Sequence, residues 1–359
     1  MNSRPWQPFV GQVAQLGGIE TSVLDNGPGR NTRIAWVNTG TGLRYKVALD
    51  RAMDIVDCFY NEHSLAWLSH GGLTAAQPGL NRGLDWLRTF PGGLLTTCGL
   101  TNVGGPNQDE HGERGLHGRI SNLPADLESV VQPDLATGDL TMRLTGRMRE
   151  SQVFGPHLEL TRTLAGTLGE PTIRVHDVVT NRGNTLAPHM LLYHLNFGWP
   201  LVDVGTRLLL NGTLQARDDP QSKAWFRAGG SYHTCPAPRD DHGGSGEVCA
   251  FIDPSPDATG WCSTGLTNDR LGLTVQVRFR KEQLPWLSNW QHWGRGEYVT
   301  GLEPGTHPPI GQAQARQNGT LLFLEPGESR TYELELTLLT KRTANRLDFP
   351  PPSHATNNP

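Results

Sequence analysis

Thr331-Tyr332-Glu333-Leu334-Glu335-Leu336-Thr337-Leu338 alternates apolar and polar residues without a break. Successive side chains of an extended chain point to opposite faces, so Tyr332, Leu334, Leu336 and Leu338 share one face and the two glutamates the other. A half-buried antiparallel strand reads this way. Working outward, Leu273-Thr274-Val275-Gln276-Val277-Arg278-Phe279 repeats the pattern. So does Thr172-Ile173-Arg174-Val175-His176-Asp177-Val178-Val179, which puts Ile173, Val175 and Val179 on one face before an Asn181-Arg182-Gly183-Asn184 turn. Asn211-Gly212 and Asn318-Gly319 stand between apolar runs and predict hairpins.

Helical periodicity is scarce, and its best candidate, Asp54 to Leu68, reads equally well as strand and loop. The 359 residues include 43 glycines and 26 prolines, roughly a fifth of the chain, which favours many short strands joined by turns. No internal repeat points to a propeller or solenoid. The Gly/Pro/Asp-rich piece from Gly229 to Gly246 reads as a long surface loop. The expected architecture is one all-β sandwich domain over residues 1–347, with few short helices, followed by a Pro-rich tail over 348–359.

Net charge is −4 and only 18% of residues are charged, so no electrostatic footprint argues for nucleic acid or an anionic membrane as partner. No stretch approaches the ~18 apolar residues of a membrane span. The opening Met1-Asn2-Ser3-Arg4-Pro5-Trp6 lacks the apolar core of a secretory leader. Cys58, Cys98, Cys235, Cys249 and Cys262 are an odd set without Cys-x-x-Cys spacing, as expected of reduced thiols. The expectation is a cytoplasmic monomer or homodimer, with Asn211-Gly212-Thr213 and Asn318-Gly319-Thr320 serving as turns rather than glycosylation sites.

Three residues stand out as proton carriers. His117 lies in Gly115-Leu116-His117-Gly118-Arg119, after a polar, glycine-punctuated loop; read alone it also fits a residue that caps the loop. His194 lies in Leu192-Tyr193-His194-Leu195-Asn196-Phe197, where a histidine is commonly a satisfied core residue. Alternation nevertheless puts His194 and Asn196 on one face, as in a strand that looks into a cleft. Glu303, in Gly301-Leu302-Glu303-Pro304, reads as a carboxylate at a sheet rim where proline stops the pairing. Two imidazoles and a carboxylate suit general acid–base work on a neutral polar substrate. Trp286, Trp290 and Trp293 supply flat apolar surfaces of the kind sugar rings stack on.

Taken together, Leu116-His117-Gly118, Tyr193-His194-Leu195-Asn196-Phe197, Gly301-Leu302-Glu303 and the closing Pro326-Gly327-Glu328 resemble, in order, motifs of the aldose 1-epimerase (galactose mutarotase) superfamily. The resemblance spans about Val47 to Leu339. It implies a β-supersandwich of two large antiparallel sheets and a cofactor-free isomerase that interconverts sugar anomers. Glu303 would take the proton of the anomeric hydroxyl, His194 would protonate the ring oxygen, and His117 would bind near that oxygen or share the acid role. All three would line one solvent-filled hollow. The family's upstream Asn-Arg pair has only Asn102 as a partial counterpart here. Arg119, Arg82 and Arg88 are then the candidate guanidinium groups, joined by Asn196 and Trp290 as substrate contacts and by Asp203 as a possible gripping carboxylate. An acidic sugar is one substrate such cations would fit.

Two further readings use the same residues. One applies the acid and base to carbon, as a lyase, hydratase or epimerase of an oxidised sugar, with His70, His111, His117 and His194 gathered around a divalent metal. The other is a carbohydrate-binding protein without turnover; retention of all three proton carriers argues against it. Arg51-x-x-Asp54 and Arg82-x-x-Asp85 read either as substrate grips or as ion pairs that pin loops.

Overall fold

The computed structural model of the chain describes residues 8–244 and 246–340. The tail expected from Asp348 lies outside the described residues. The three alternating stretches are adjacent strands of one antiparallel sheet: Leu273–Arg280, Ser329–Thr340 and Thr172–Asn181. The register sets Val275 opposite Leu338, Phe279 opposite Leu334 and Ile173 opposite Leu336, so their apolar faces form one continuous surface. Five more strands complete this sheet of eight, which ends at Asp126–Val131 on one side and Arg207–Leu209 on the other.

The second large sheet has seven strands and runs from Gly212–Ala216 through Val248–Pro254, Trp286–Gly294 and Glu297–Gly305 to Ala187–Phe197. Thr96–Leu100 and Leu322–Leu324 share the far edge of that last strand. Both large sheets of the expected supersandwich are therefore present. A five-stranded sheet, from Gly18–Val23 to His63–Ser64, adds to them. One core joins all three, with Tyr45 and Val47, Leu160 and Val175, and Tyr193 and Leu195 buried together.

A charged clasp runs through that core. The fully buried Arg162 donates to Asp177 (2.7 Å), Asp54 (3.1 Å) and Thr97 Oγ1 (2.8 Å), while the Tyr193 hydroxyl donates to Asp177 (2.7 Å). These residues come from all three sheets, so the clasp fixes their relative positions.

Local signals resolve as follows. Asp54 to Leu68 contains the strands Asp54–Tyr60 and His63–Ser64, not a helix. Neither Asn-Gly pair makes a hairpin. Asn211-Gly212 carries the chain from the eight-stranded to the seven-stranded sheet, and Asn318-Gly319 closes the short helix Gln312–Gln317, with Gly319 in the left-handed region (φ 69°). Of the stretch from Gly229 to Gly246, the described residues form a loop with one helical turn at Asp240–His242. All five cysteines are reduced and buried. Among the described residues no helix is long and apolar enough to cross a membrane.

Candidate active site

The strand Ala187–Phe197 sorts its side chains by alternation. Leu191, Tyr193, Leu195 and Phe197 enter the main core, while Met190 and Leu192 pack with Trp86, Phe90 and Cys98 on the outer face. His194 and Asn196 continue that outer face. The ladder to Glu297–Gly305 pairs Leu192 with Gly305 and Leu195 with Leu302, so its register sets His194 opposite Glu303 and Tyr193 opposite Pro304. Pro304 has no N–H to donate, and the ladder is interrupted at this point. Glu303 is thus mid-strand and 3% exposed, not at a rim; Pro304 interrupts pairing with one neighbour while Ser288 still pairs Glu303 on the other.

His194 Nε2 lies 3.3 Å from Glu303 Oε1, close enough for proton exchange but not aligned as a hydrogen bond. His194 Nδ1, Asn196 Oδ1 and Glu303 Oε1 are buried polar atoms without a hydrogen-bond partner. Such atoms cost roughly 1–3 kcal/mol each and are left where a ligand can use them. His117 completes the trio: its ring centroid lies 5.8 Å from that of His194, nearly perpendicular.

The loop holds His117 firmly. His117 N donates to the Gly104 carbonyl (2.9 Å), its carbonyl accepts from Gly99 N (2.9 Å), and Gly104 N donates to Nδ1 (3.3 Å). An imidazole that accepts at Nδ1 and is neutral carries its proton on Nε2. His117 and Gly118 both lie in the left-handed region (φ 55° and 70°), and a Cβ on Gly118 would sit 2.4 Å from the Gly99 carbonyl oxygen. Only glycine fits there, and the turn it makes presents His117.

Aromatic rings enclose the trio. Phe90 and Trp290 each lie 5.4 Å from the His194 ring, and Trp86 lies 4.8 Å from His117. Trp67 closes the ring through Phe90 (6.0 Å) and Trp290 (6.2 Å). Burial in this enclosure decides the charges. It raises Glu303 to about 8, with Glu247 adding to the rise and Arg217 opposing it. It lowers His194 to about 3, helped by His117 and opposed by Asn196. It lowers His117 to about 4, helped by Arg217. The trio is therefore uncharged near neutrality. Its members meet as expected, but within an aromatic enclosure rather than an open hollow; the half-buried His117, Trp67 and Trp290 form its exposed edge.

Arg217 and Glu247 went unanticipated. Arg217 donates to Glu247 (2.8 Å) and Asp219 (2.7 Å), and Glu247 also accepts from Trp290 Nε1 (2.7 Å). Asp219 further caps the helix Pro220–Arg227 by accepting from Ser222 N (2.8 Å). A guanidinium and a carboxylate thus stand side by side against the indole of Trp290, both partly exposed.

Several expected contacts lie elsewhere. Asn102 is no free grip: its amide donates to the Gly115 carbonyl (2.8 Å) and accepts from Asn107 (2.9 Å) and Gln312 N (2.8 Å), which ties down the loop that carries His117. Arg119 donates to the Ser151 carbonyl (2.8 Å) and lines, with Glu150 and Arg316, a separate cavity of about 750 Å³. Arg82 is exposed, and Arg88 is exposed and pairs with Asp85 (3.7 Å). Asn196 lies beside His194 but donates to the carbonyls of Gly93 (3.1 Å) and His194 (2.9 Å), leaving only Oδ1 for a ligand. Asp203 is held by Arg270, and Trp293 belongs to the main core. Arg51 does pin loops, through the carbonyls of Thr74 (3.1 Å) and Thr89 (2.9 Å) rather than through Asp54. His70 pairs with Glu297 (3.3 Å) and His111 with Glu110 (3.4 Å), so the four histidines do not gather. Among the described residues no three His, Cys, Asp or Glu are arranged to hold a metal ion.

Solved structures share this architecture. A Klebsiella pneumoniae protein provisionally named an aldose 1-epimerase superimposes with a TM-score of 0.80 at 23% identity, covering 93% of this chain and 88% of that one. A galactose mutarotase-like protein from Clostridium acetobutylicum gives 0.64 at 10% identity, over 90% and 98% of the two chains. Galactose 1-epimerase from Lactobacillus acidophilus gives 0.57 at 13%, again over 90% and 98%. At these identities the likeness establishes the shared galactose mutarotase-like fold. Compared with curated proteins, the chain matches none. Residues 29–338 match the family described as "Domain of unknown function (DUF4432)", and the chain belongs to that family.

Proposed function

We propose that this protein is an aldose 1-epimerase-like isomerase that interconverts the anomers of a neutral sugar. The observation that carries this reading is the His194–Glu303 pair, 3.3 Å apart, buried, and unpartnered at atoms on both residues. Ring opening removes a proton from the O1 hydroxyl and delivers one to the ring oxygen. A carboxyl–imidazole pair that holds a single proton does both. At rest that proton sits on Glu303; once it has passed to His194, Glu303 takes the O1 proton while His194 gives its own to the ring oxygen. The C1–O5 bond breaks and the aldehyde forms. The pair still holds one proton, now on Glu303. After rotation about C1–C2, the reverse transfers close the ring on either face.

No proton need be exchanged with water, which suits residues this buried. Positioned proton transfer of this kind typically contributes about 10²–10⁴-fold. His117, with its proton on Nε2, donates to a sugar oxygen without itself titrating near neutrality. Trp86, Phe90 and Trp290 offer faces to the apolar side of a pyranose. Arg217 and Glu247 offer a donor and an acceptor to its hydroxyls. A neutral sugar is favoured over an acidic one because Asp219 and Glu247 already neutralise Arg217.

Polarimetry on freshly dissolved α-glucose and α-galactose tests the reading. The protein is expected to speed the approach to anomeric equilibrium, and Glu303→Gln to remove the acceleration while leaving the fold intact. No acceleration with either sugar, or acceleration that survives Glu303→Gln, overturns it.

A further inference from the structure

A cavity of about 500 Å³ opens beside the aromatic enclosure and is walled by Trp67, Leu68, Trp199, Val204 and Tyr298. Its size lies within the roughly 300–1,000 Å³ usual for small-molecule sites. Trp199 is 68% exposed, a large apolar surface left in water at its mouth. Leu68 and Val204 are exposed beside it. Its one lining carboxylate, Asp203, is held by Arg270, so the cavity presents no free charge.

Trp67 belongs both to this cavity and to the rings that enclose the pair. Its ring lies 6.2 Å from Trp290, which in turn lies 5.4 Å from His194. Trp199 and Trp67 both line the cavity, and from it Trp67 and Trp290 lead to the proton-carrying pair. Trp67 is also immobilised: its N–H donates to the Asn196 carbonyl (3.0 Å), its carbonyl accepts from Gly93 N (2.8 Å), and a Cβ on Gly92 would lie 2.7 Å from its ring. Rigid, uncharged, aromatic walls match the flat C–H faces of an uncharged sugar ring.

We infer that this cavity is a second sugar subsite, which takes the non-reducing ring of a neutral disaccharide whose reducing ring meets the His194–Glu303 pair. The inference rests on the proposed isomerase reading for the placement of the reducing ring. It makes short reducing oligosaccharides, rather than free hexoses alone, the substrate class.

Because an isomerase at anomeric equilibrium causes no net reaction, binding is measurable on the full-length wild-type protein by calorimetry. The probes are equilibrated cellobiose, lactose and maltose against glucose and galactose. At least one disaccharide is expected to bind about tenfold more tightly than either monosaccharide. Trp199→Ala, at an exposed position, is expected to remove that preference, to raise the disaccharide KM in polarimetry, and to leave monosaccharide kcat/KM unchanged. Equal binding of both classes by the wild type, or a preference that survives Trp199→Ala, overturns the subsite. So does a Trp199-dependent change of oligomeric state without any change in sugar binding. Disaccharide preference without mutarotation would remove the isomerase reading and leave the subsite standing, while mutarotation without the preference would do the reverse.

Discussion

Gly301 and Glu303 lie two residues apart on one face of the strand Glu297–Gly305, and a Cβ on Gly301 would stand 2.5 Å from Glu303 Oε1 and 3.3 Å from Trp290 Cβ. The carboxyl fills the space that any side chain at 301 would need. Gly301→Ala is therefore expected to push Glu303 away from His194. A displacement of about 1 Å can cost about 10²-fold in rate, and the overpacking itself about 1–3 kcal/mol of stability. Polarimetry beside thermal unfolding separates the two; a fully active, folded Gly301→Ala protein contradicts this geometry.

The pH dependence follows from the proton count of the pair. The proposed mechanism uses the state with one shared proton, whichever residue holds it, and kinetics report the macroscopic steps on either side of that state. With Glu303 at about 8 and His194 at about 3, kcat/KM is expected to stay level from about pH 4 to 8. Above pH 8 it should fall about tenfold per unit as the shared proton is lost. The spontaneous reaction is subtracted at each pH. Activity that climbs steadily past pH 9 contradicts a one-proton pair.

Stability carries the same signature. Glu303 is raised from 4.5 to about 8 by burial, so the folded state binds its proton more tightly than the unfolded chain does. Its contribution is fully present below 4.5 and is lost as pH rises through 8. His194 and His117, lowered from 6.5 to about 3 and 4, work in the opposite sense: their contribution is present above 6.5 and is lost as pH falls. Glu303→Gln removes only the first effect. The variant is expected to gain stability relative to wild type as pH rises from 5 to 9, read from denaturant midpoints; a constant difference contradicts the sign.

Arg162 is the one cation between Asp54 and Asp177 in the clasp that joins the three sheets. Arg162→Leu leaves two buried carboxyls without their ion-pair partner, and breaking a buried pair in this way typically costs about 3–5 kcal/mol. Urea unfolding should show a loss of that size. Replacing the exposed Arg88 should change stability by under about 1 kcal/mol.

Much of this was legible in the chain because alternation is a local property. Tyr332 to Leu338, Leu273 to Phe279 and Ile173 to Val179 read as strands from their own residues, and all three became neighbours. His194 and Asn196 were placed on one face by the same parity. The meeting of His194 with Glu303 followed only from the family resemblance, since it depends on a register set by Leu192↔Gly305 and Leu195↔Leu302, strands more than a hundred residues apart. The Asn-Gly pairs misled because Asn-Gly serves a helix end as readily as a hairpin, as Asn318 and Gly319 do here. Asp219-Pro220 did carry a readable signal, an N-cap followed by proline at the first helical position, for the helix beside Arg217. The enclosing rings Trp67, Trp86 and Phe90 fall in segments without periodicity, so nothing in their own residues placed them beside His194 and His117.

Arg217 and Glu247 came together only because Gly212–Ala216 pairs with Val248–Pro254, and Arg217 N donates to the Cys249 carbonyl (2.8 Å) just beyond that ladder. Arg217 acts on the site in two ways. Its charge opposes the rise of Glu303, and its guanidinium is partly exposed beside Glu247 and Trp290, where the proposed function gives it a sugar hydroxyl. Arg217→Gln removes the opposing charge and leaves Glu247, which pushes Glu303 in the upward direction. The alkaline fall in kcat/KM is therefore expected to move to higher pH, while KM for the sugar rises several-fold and kcat at pH 7 changes less. A residue that merely buttressed the fold would lower kcat and stability together and leave the position of that fall where it was. An unmoved alkaline limb with unchanged KM would place Arg217 outside the working site.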